Sequence, residues 1–590
     1  MADRRTFMKR VGLTAAATGA IATGRVGART DGHETATDPE AVGGDAGAGA
    51  ETEFDYPWQF IGRRSATMAT NGMVATSHPI AAQVGTQTLQ RGGNAADAAV
   101  ATAVTLNLVE PHMTSVLGDM FALTHFDGEY RALNGSGRAP AAADIDTYCD
   151  RTDATEDGEP VVPTEGGLPV TVPGALDGFY ELSERYGKLP FEDLLEPAIG
   201  YARDGVPVTE YVAAQWEVAA PRVEGFESFR ETFLIDGEPP SPEQLFTNPD
   251  FADSLERIAD EGIETVYGGE FGAEIVDAVQ EHGGVLELSD LENHESTWDE
   301  PISAEYRGME VLEHPPNTQG VAALQALNVL EEFDLAADPT DPERLHRQIE
   351  ALKIAFADTE EFVTDPEAYD IPLETMLSPE YGRQRAAEIG PNVGTYEPRA
   401  DRHSDTVYLT VVDGDGNAVS LINSGFWPFA SGIVVGGFPL QNRGSSFSLD
   451  PDDPNALEPE KRPFHTLVPA MLAEDGEFRA SFGVMGGDTQ PQGHVQVVTN
   501  LVDSGLNPQA AIDAPRFRFL EDHEVTLETS RLPQATVDDL RERGHDVITE
   551  DEYFEPDANH YGGAQLIYRT DDGVLIGGSE PRRDGQAIGF

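Results

Sequence analysis

Few positions in this sequence carry side chains at spacings that chemistry requires. No serine stands in a Gly-x-Ser-x-Gly turn, no His-Glu-x-x-His pair is present, and no dinucleotide fingerprint opens a helix. Gly92-Gly93 precedes an apolar helix, where backbone amides can cradle an anion. No Gly-Lys-Ser/Thr follows, so this is not a nucleotide loop, and close backbone packing accounts for the glycines. His346 shares a helix face with Glu343 and Glu350, but no second histidine lies three or four residues away. That pattern reads as an ordinary polar face, and no metal site is expected. Cys149 is the single cysteine, which excludes an intramolecular disulfide and a multi-cysteine metal centre. What remains is the region 405–425 together with the loop Gly483-Val484-Met485-Gly486-Gly487-Asp488. Taken alone, a threonine opening a strand is a β-branched strand residue, and a Gly-Gly loop is a turn.

Those two segments must be held by the elements around them. Residues 406–413 form a β-branched run, and Gly414-Asp415-Gly416-Asn417 turns the chain into Ala418–Ile422. This predicts a hairpin. Further strands are expected within 432–441, 465–472 and 478–484. Earlier in the chain, Gly72 begins an apolar strand, residues 95–109 read as an apolar helix ended by Glu110-Pro111-His112, and Phe121–Phe126 reads as a strand. Residues 170–360 look mainly helical, with amphipathic runs near 175–186, 254–266, 319–333 and 343–357.

The solvent and the address are legible in composition. Against 105 Asp and Glu stand 38 Lys and Arg, a formal net charge of −67. Such a surface repels phosphate backbones, so nucleic acid is excluded as a principal partner. The acidity reads as adaptation to concentrated salt, where the Debye length falls to about 3 Å at 1 M. Residues 3–9, Asp-Arg-Arg-Thr-Phe-Met-Lys, resemble a twin-arginine export signal, and the weakly apolar stretch after them is too short to span a membrane. Residues 1–28 are therefore expected to be a signal segment and 29–55 an acidic flexible linker, with the folded body starting near Tyr56. The expected location is extracellular or cell-surface, with no membrane span.

From Gly72 to Phe590 the chain resembles the γ-glutamyltransferase (glutathione hydrolase) family. The resemblance is carried by Ser77-His78-Pro79, Arg91-Gly92-Gly93-Asn94-Ala95-Ala96-Asp97, Val109-Glu110-Pro111-His112 and Val172-Pro173-Gly174. It continues in Thr406-x-x-x-Thr410-Val-Val-Asp-x-Asp-Gly-Asn417, Lys461-Arg462-Pro463, Gly486-Gly487 and Pro581-Arg582-Arg583-Asp584-Gly585. It implies an α+β fold, the four-layer αββα sandwich of N-terminal-nucleophile hydrolases. It also implies a precursor that cuts itself between Asp405 and Thr406, giving a large chain of residues 56–405 and a small chain of residues 406–590 that stay together as a heterodimer. No cofactor is implied. Thr406 would be the nucleophile, Ser424 the hydroxyl beside it, and Gly486 and Gly487 the oxyanion-binding pair.

The substrate pocket departs from the glutathione-acting pattern. Ser136 stands where those members carry an arginine for the substrate α-carboxylate, with Arg138 two positions later. Ser446 stands where they carry an aspartate for the α-amine, preceded by Arg443, and a pair of serines is replaced by His465 and Thr466. The resemblance thus implies a small-molecule amide or peptide substrate, either γ-glutamyl compounds in a rebuilt pocket or other acyl groups, as in cephalosporin acylases and oxamate amidohydrolases. Arg138 and Arg443 would suit a carboxylate without a paired ammonium, or they are ion-pair partners in an acidic protein. A catalytically inert secreted binding scaffold is the reading of a different class, opposed by the presence of Thr406, Ser424 and Gly486-Gly487. Because a net charge of −67 opposes compaction, the melting temperature should rise steeply from dilute buffer to molar KCl. An unchanged melting temperature would contradict the reading of the acidity.

Overall fold

The computed structural model describes residues 64–156, 158–396, 405–549 and 561–590. The signal segment, the linker and residues 397–404 lie outside them.

Two seven-stranded antiparallel sheets form the centre. The first runs, in spatial order, Gln586–Gly589, Gly72–Thr76, Asp405–Asp413, Ala418–Phe426, Asp119–Phe126, Glu129–Gly135 and Thr297–Asp299. The second runs Thr67–Ala69, Leu575–Ser579, Gly563–Arg569, Glu477–Met485, Ala470–Glu474, Met309–Glu313 and Ile302–Tyr306. Segments on both sides of residue 405 supply strands to both sheets. The inner faces meet through Met73, Leu123, Val412, Met471, Phe478 and Ile567, all buried. Helices Pro79–Gln90, Ala95–Val109 and Ala175–Tyr186 cover the first sheet, and helices Gly320–Leu330, Pro342–Phe362 and Thr489–Val502 cover the second. This is the αββα sandwich.

The covering explains the local sequence. From residue 406 onward strand Asp405–Asp413 is buried on both faces, by helix Ala95–Val109 and by the second sheet, so it reads as a nearly continuous apolar run. Helix Ala95–Val109 is buried all round and alanine-rich, which lets it lie close to the strands, and Asn94 and Asp97 close its start as a capping box. Of the two glycines expected to pack closely, Gly92 faces open space and is set instead by its φ of +104°, whereas at Gly93 a Cβ would press 3.0 Å from the Thr88 carbonyl oxygen and 3.1 Å from the Asp97 Cβ. Close packing is therefore the role of Gly93.

Two expected strands are shortened. Within 432–441 only Val434–Val435 and Phe438–Pro439 pair, because Gly436 and Gly437 turn at φ +55° and +81°. The expected strand 465–472 begins only at Ala470, since Pro463 and Pro469 remove backbone donors. The helix expected from 254 starts at Pro249, capped by Asn248. The stretch 170–360 also contains three strands between 297 and 313. The sheets are pinned face to face where Tyr408 lies on Gly483, whose hypothetical Cβ would fall 2.4 Å from the ring. Gly483→Ala should therefore destabilise the protein by about 1–3 kcal/mol, measured by chemical denaturation in molar salt. Wild-type stability would show that this crossing is not tight.

Candidate active site

Thr406 stands at an irregularity in the hairpin, where the pairing register shifts between Asp405 and Val407. A bulge re-aims a side chain, and such bulges are over-represented next to active sites. Thr406 is buried, and its hydroxyl donates to Ser424 Oγ at 3.5 Å. Ser424 Oγ accepts from the Phe426 amide at 2.8 Å, which fixes that hydroxyl.

The Gly486-Gly487 loop reaches the same level by the geometry of the sheets. Thr410 donates to Ser481 Oγ across the interface at 2.5 Å, and Tyr408 packs on Gly483. Two residues back along one strand correspond to two residues forward along the other. The start of strand Asp405–Asp413 and the end of strand Glu477–Met485, directly before Gly486, therefore lie toward the same end of the crossing. Gly486 and Gly487 adopt φ +127° and +58°, a conformation glycine accepts readily. Gln319, at the start of helix Gly320–Leu330, donates through Nε2 to the carbonyl oxygens of Thr466 at 2.8 Å and Gly487 at 3.0 Å. It ties this loop to the segment carrying His465 and Thr466.

An acid absent from the sequence expectations organises the remaining polar groups. Asp119 faces Ser424 in the strand register and is 1% exposed. Its Oδ1 accepts from the Gly137 amide at 2.9 Å, and its Oδ2 lies 3.3 Å from His465 Nε2 and 3.8 Å from Arg443 Nε. Arg443 is fully buried, donates to Thr466 Oγ1 at 3.2 Å and stacks over the Phe426 ring at 3.8 Å. Phe426 is held at φ +85°, a region that costs a non-glycine residue about 1–3 kcal/mol and persists only where the surroundings enforce it. Burial raises the Asp119 carboxyl to about 7, against lowering by Arg443 and the Gly137 amide. Burial, with Arg443 and His314 nearby, holds the His465 imidazole well below its usual value.

Of the expected substrate residues, Arg443, His465 and Thr466 are brought together. Ser446 points into its own backbone, donating to the Arg443 and Phe464 carbonyl oxygens at 2.9 and 3.2 Å. Ser136 is buried beside Gly137, its amide held by Asn134 Oδ1 at 3.0 Å. Arg138 follows the ion-pair alternative: its side chain, 30% exposed, pairs with Glu367 at 2.9 Å and lies 3.6 Å from Asp365. A lone acid after Gly118, heading an apolar strand, was the available signal for Asp119. Nothing local marks Gln319 or Asn423.

His346 and Glu350 are not on an ordinary polar face; both are buried, because His545, distant in sequence, packs against them. His346, Glu350 and His545 place ligand-type atoms within 4.8 Å of one another. Two zinc-bound nitrogens at about 2.0–2.1 Å from the ion stand roughly 3.3 Å apart. Here His346 Nδ1 and His545 Nε2 are 2.8 Å apart, His346 Nε2 meets the Gly390 carbonyl at 2.9 Å, and Lys353 lies 3.3 Å from Glu350. The geometry is that of a hydrogen-bonded network with its own cation.

A family model described as Gamma-glutamyltranspeptidase matches residues 81–590. A glutathione hydrolase-like YwrD proenzyme of Bacillus subtilis is 38% identical over 534 residues, covering 89% of this chain and 99% of its own. An oxamate amidohydrolase proenzyme of Klebsiella pneumoniae is 34% identical over 544 residues, covering 89% of this chain and all of its own. The crystal structure of a cephalosporin acylase from Bacillus halodurans aligns with a TM-score of 0.84 at 41% identity, covering 92% of this chain and 99% of that one. Among the described residues no helix is long and apolar enough to cross a membrane.

Behind the site, Asn423 joins the hairpin to the helix side. It accepts from Thr114 Oγ1 and from Asn107 Nδ2 at 3.1 Å, and it donates to the carbonyl oxygens of Ser115 and Asp119 at 3.3 and 2.9 Å. Asn423→Ala leaves several buried groups unpaired and should cost about 3 kcal/mol or more, read by denaturation with the fragment pattern on a denaturing gel. A loss below about 1 kcal/mol would mean that these groups re-pair without it.

Proposed function

The chain belongs to the γ-glutamyltranspeptidase family of amidohydrolases and acyltransferases, and from that premise we propose that it is an exported, self-cleaving threonine amide hydrolase whose acyl-enzyme forms on Thr406. The observation that supports this reading most is the convergence of Thr406, the fixed Ser424 hydroxyl and the Gly486-Gly487 loop at one end of the sheet crossing. Scission of the Asp405–Thr406 peptide frees an α-amine whose ordinary pKa is about 7.7–8.0, a base on the nucleophile's own residue. The Thr406 hydroxyl gives its proton to that amine as Oγ1 attacks the amide carbonyl. The Gly486 and Gly487 amides face the developing oxyanion, and Ser424 orients the nucleophile. Collapse of the adduct breaks the C–N bond, with the proton passing to the departing amine. Water or an acceptor amine then resolves the ester and restores the Thr406 hydroxyl. Because strands from both sides of residue 405 are interleaved in both sheets, the two chains stay together after cleavage.

For the substrate, the relatives divide between glutathione hydrolases and acylases or amidohydrolases. Buried Arg443 favours an acyl group with its own carboxylate and no α-amine. Ser136 and Ser446 offer no charge to a glutamyl group, and each charged hydrogen bond lost is worth about 1.5–3 kcal/mol.

Thr406→Ala should remain a single, inactive chain, while mass spectrometry of the wild-type small fragment should begin it at Thr406. Normal cleavage in Thr406→Ala would sink the mechanism. Glutaryl-p-nitroanilide, which carries a carboxylate but no α-amine, should turn over at least about a hundredfold better in kcat/KM than γ-glutamyl-p-nitroanilide. Equal kinetics on the two would instead favour γ-glutamyl transfer through a rebuilt pocket.

A further inference from the structure

Resting on this amide-hydrolase reading, we propose that Asp119 is the positioning residue of the acyl pocket: it holds Arg443 and His465 beside Thr406 and so makes the pocket read a carboxylate instead of an ammonium. Asp119 is the acid that ion-pairs with buried Arg443, and it sits across from Ser424 in the strand register. Side chains directly opposite in neighbouring strands share a face, so the acid points to the side where Ser424 meets Thr406. A negative charge in such a place would ordinarily be the obvious partner for a substrate ammonium. Its neighbours argue otherwise. Oδ1 is taken by the Gly137 amide at 2.9 Å. His465 Nδ1 accepts from the Leu467 amide at 3.4 Å, so Nε2 carries the proton and donates it to Oδ2 at 3.3 Å. The Arg443 guanidinium stands 3.8 Å from the same oxygen.

A substrate ammonium brought to Asp119 would therefore face the guanidinium at short range, without water to screen the repulsion. Arg462 adds positive potential at Asp119. A substrate carboxylate has the opposite balance. It meets a guanidinium whose direction is set at one edge by Asp119, at another by Thr466 and below by the Phe426 ring. Such preorganisation lowers the entropy lost when the anion binds. His465 belongs to the same device, since its ring packs edge-on against Phe121 at 4.6 Å while Asp119 fixes its tautomer. Only glycine fits at 137, where a Cβ would lie 1.5 Å from the Val172 carbonyl oxygen, and this close approach accompanies the amide's bond to Asp119.

The test uses full-length, self-processed enzyme in molar salt with three amides: glutaryl-, γ-glutamyl- and butyryl-p-nitroanilide. Asp119→Asn should raise KM for the glutaryl amide about tenfold or more, with kcat falling by a much smaller factor and butyryl kinetics changing least. In Arg443→Ala the same KM rise should appear, and the double variant should be no worse than Arg443→Ala alone, because the acid acts through the guanidinium. If Asp119→Asn does not process, Arg443→Lys is the second variant, which keeps the charge but loses the planar guanidinium that Asp119 orients, and a wild-type glutaryl KM there would overturn the proposal. It would also be overturned by selective loss of γ-glutamyl turnover in Asp119→Asn, which would make the acid an ammonium site. Equal losses on all three amides, or additive single-variant effects, would do the same. Failure of the parent reading shows separately, as wild-type enzyme that does not favour the glutaryl amide or activity that survives Thr406→Ala.

Discussion

Everything at the site depends on how strand Asp405–Asp413 crosses strand Glu477–Met485. The two belong to different sheets, and two contacts fix their relative position, the Tyr408 ring on Gly483 and the Thr410–Ser481 hydroxyl pair; from the neighbouring strand Ala418–Phe426, Ser420 adds a third contact between the sheets by donating to the Phe482 carbonyl at 3.3 Å. A slip of one residue in the pairing of strand Asp405–Asp413 within its own sheet would turn Tyr408 and Thr410 to the helix face and break both contacts. The absent side chain at Gly483 is what lets the sheets approach, so the geometry of the candidate site is set by core packing.

The second constraint is charge. A buried guanidinium or carboxylate alone costs several kcal/mol in lost hydration and persists only when paired and hydrogen-bonded. Asp119 and Arg443 pair across 3.8 Å, with Gly137 and His465 on the acid and Thr466 and the Phe426 ring on the guanidinium. An internally balanced pair of this kind, if it lines the proposed acyl site, differs in kind from separate charges offered to a zwitterion. Similarity to both hydrolases of glutathione and acylases is consistent with one catalytic frame serving different acyl groups.

The sequence made the frame readable and left the shell hidden. The 405–426 hairpin, helix Ala95–Val109 and the glycine pair follow from local pattern, because burial on both faces and tight turns leave strong signatures in residue type. The shortened strands near 434–439 and 470–474 do not, since prolines and positive-φ glycines compete with an apolar run that otherwise looks continuous. Arg443 and Arg138 were indistinguishable in sequence. The fold buries one against Asp119 and leaves the other at the surface with Glu367. Asp119, Gln319 and Asn423 act through partners that are up to several hundred residues away in sequence, and only the sheet order brings them in. His346 shows the converse, a polar helix face made interior by His545.

The central claim is that Thr406 carries the acyl group. It is tested most directly by quenching the wild-type enzyme in acid seconds after mixing with glutaryl-p-nitroanilide and mapping the small chain by mass spectrometry. One glutaryl group on the amino-terminal Thr406 peptide, absent before mixing and lost as turnover proceeds, is the predicted result. Turnover with the label on another residue, or with no covalent intermediate at any quench time, would contradict it.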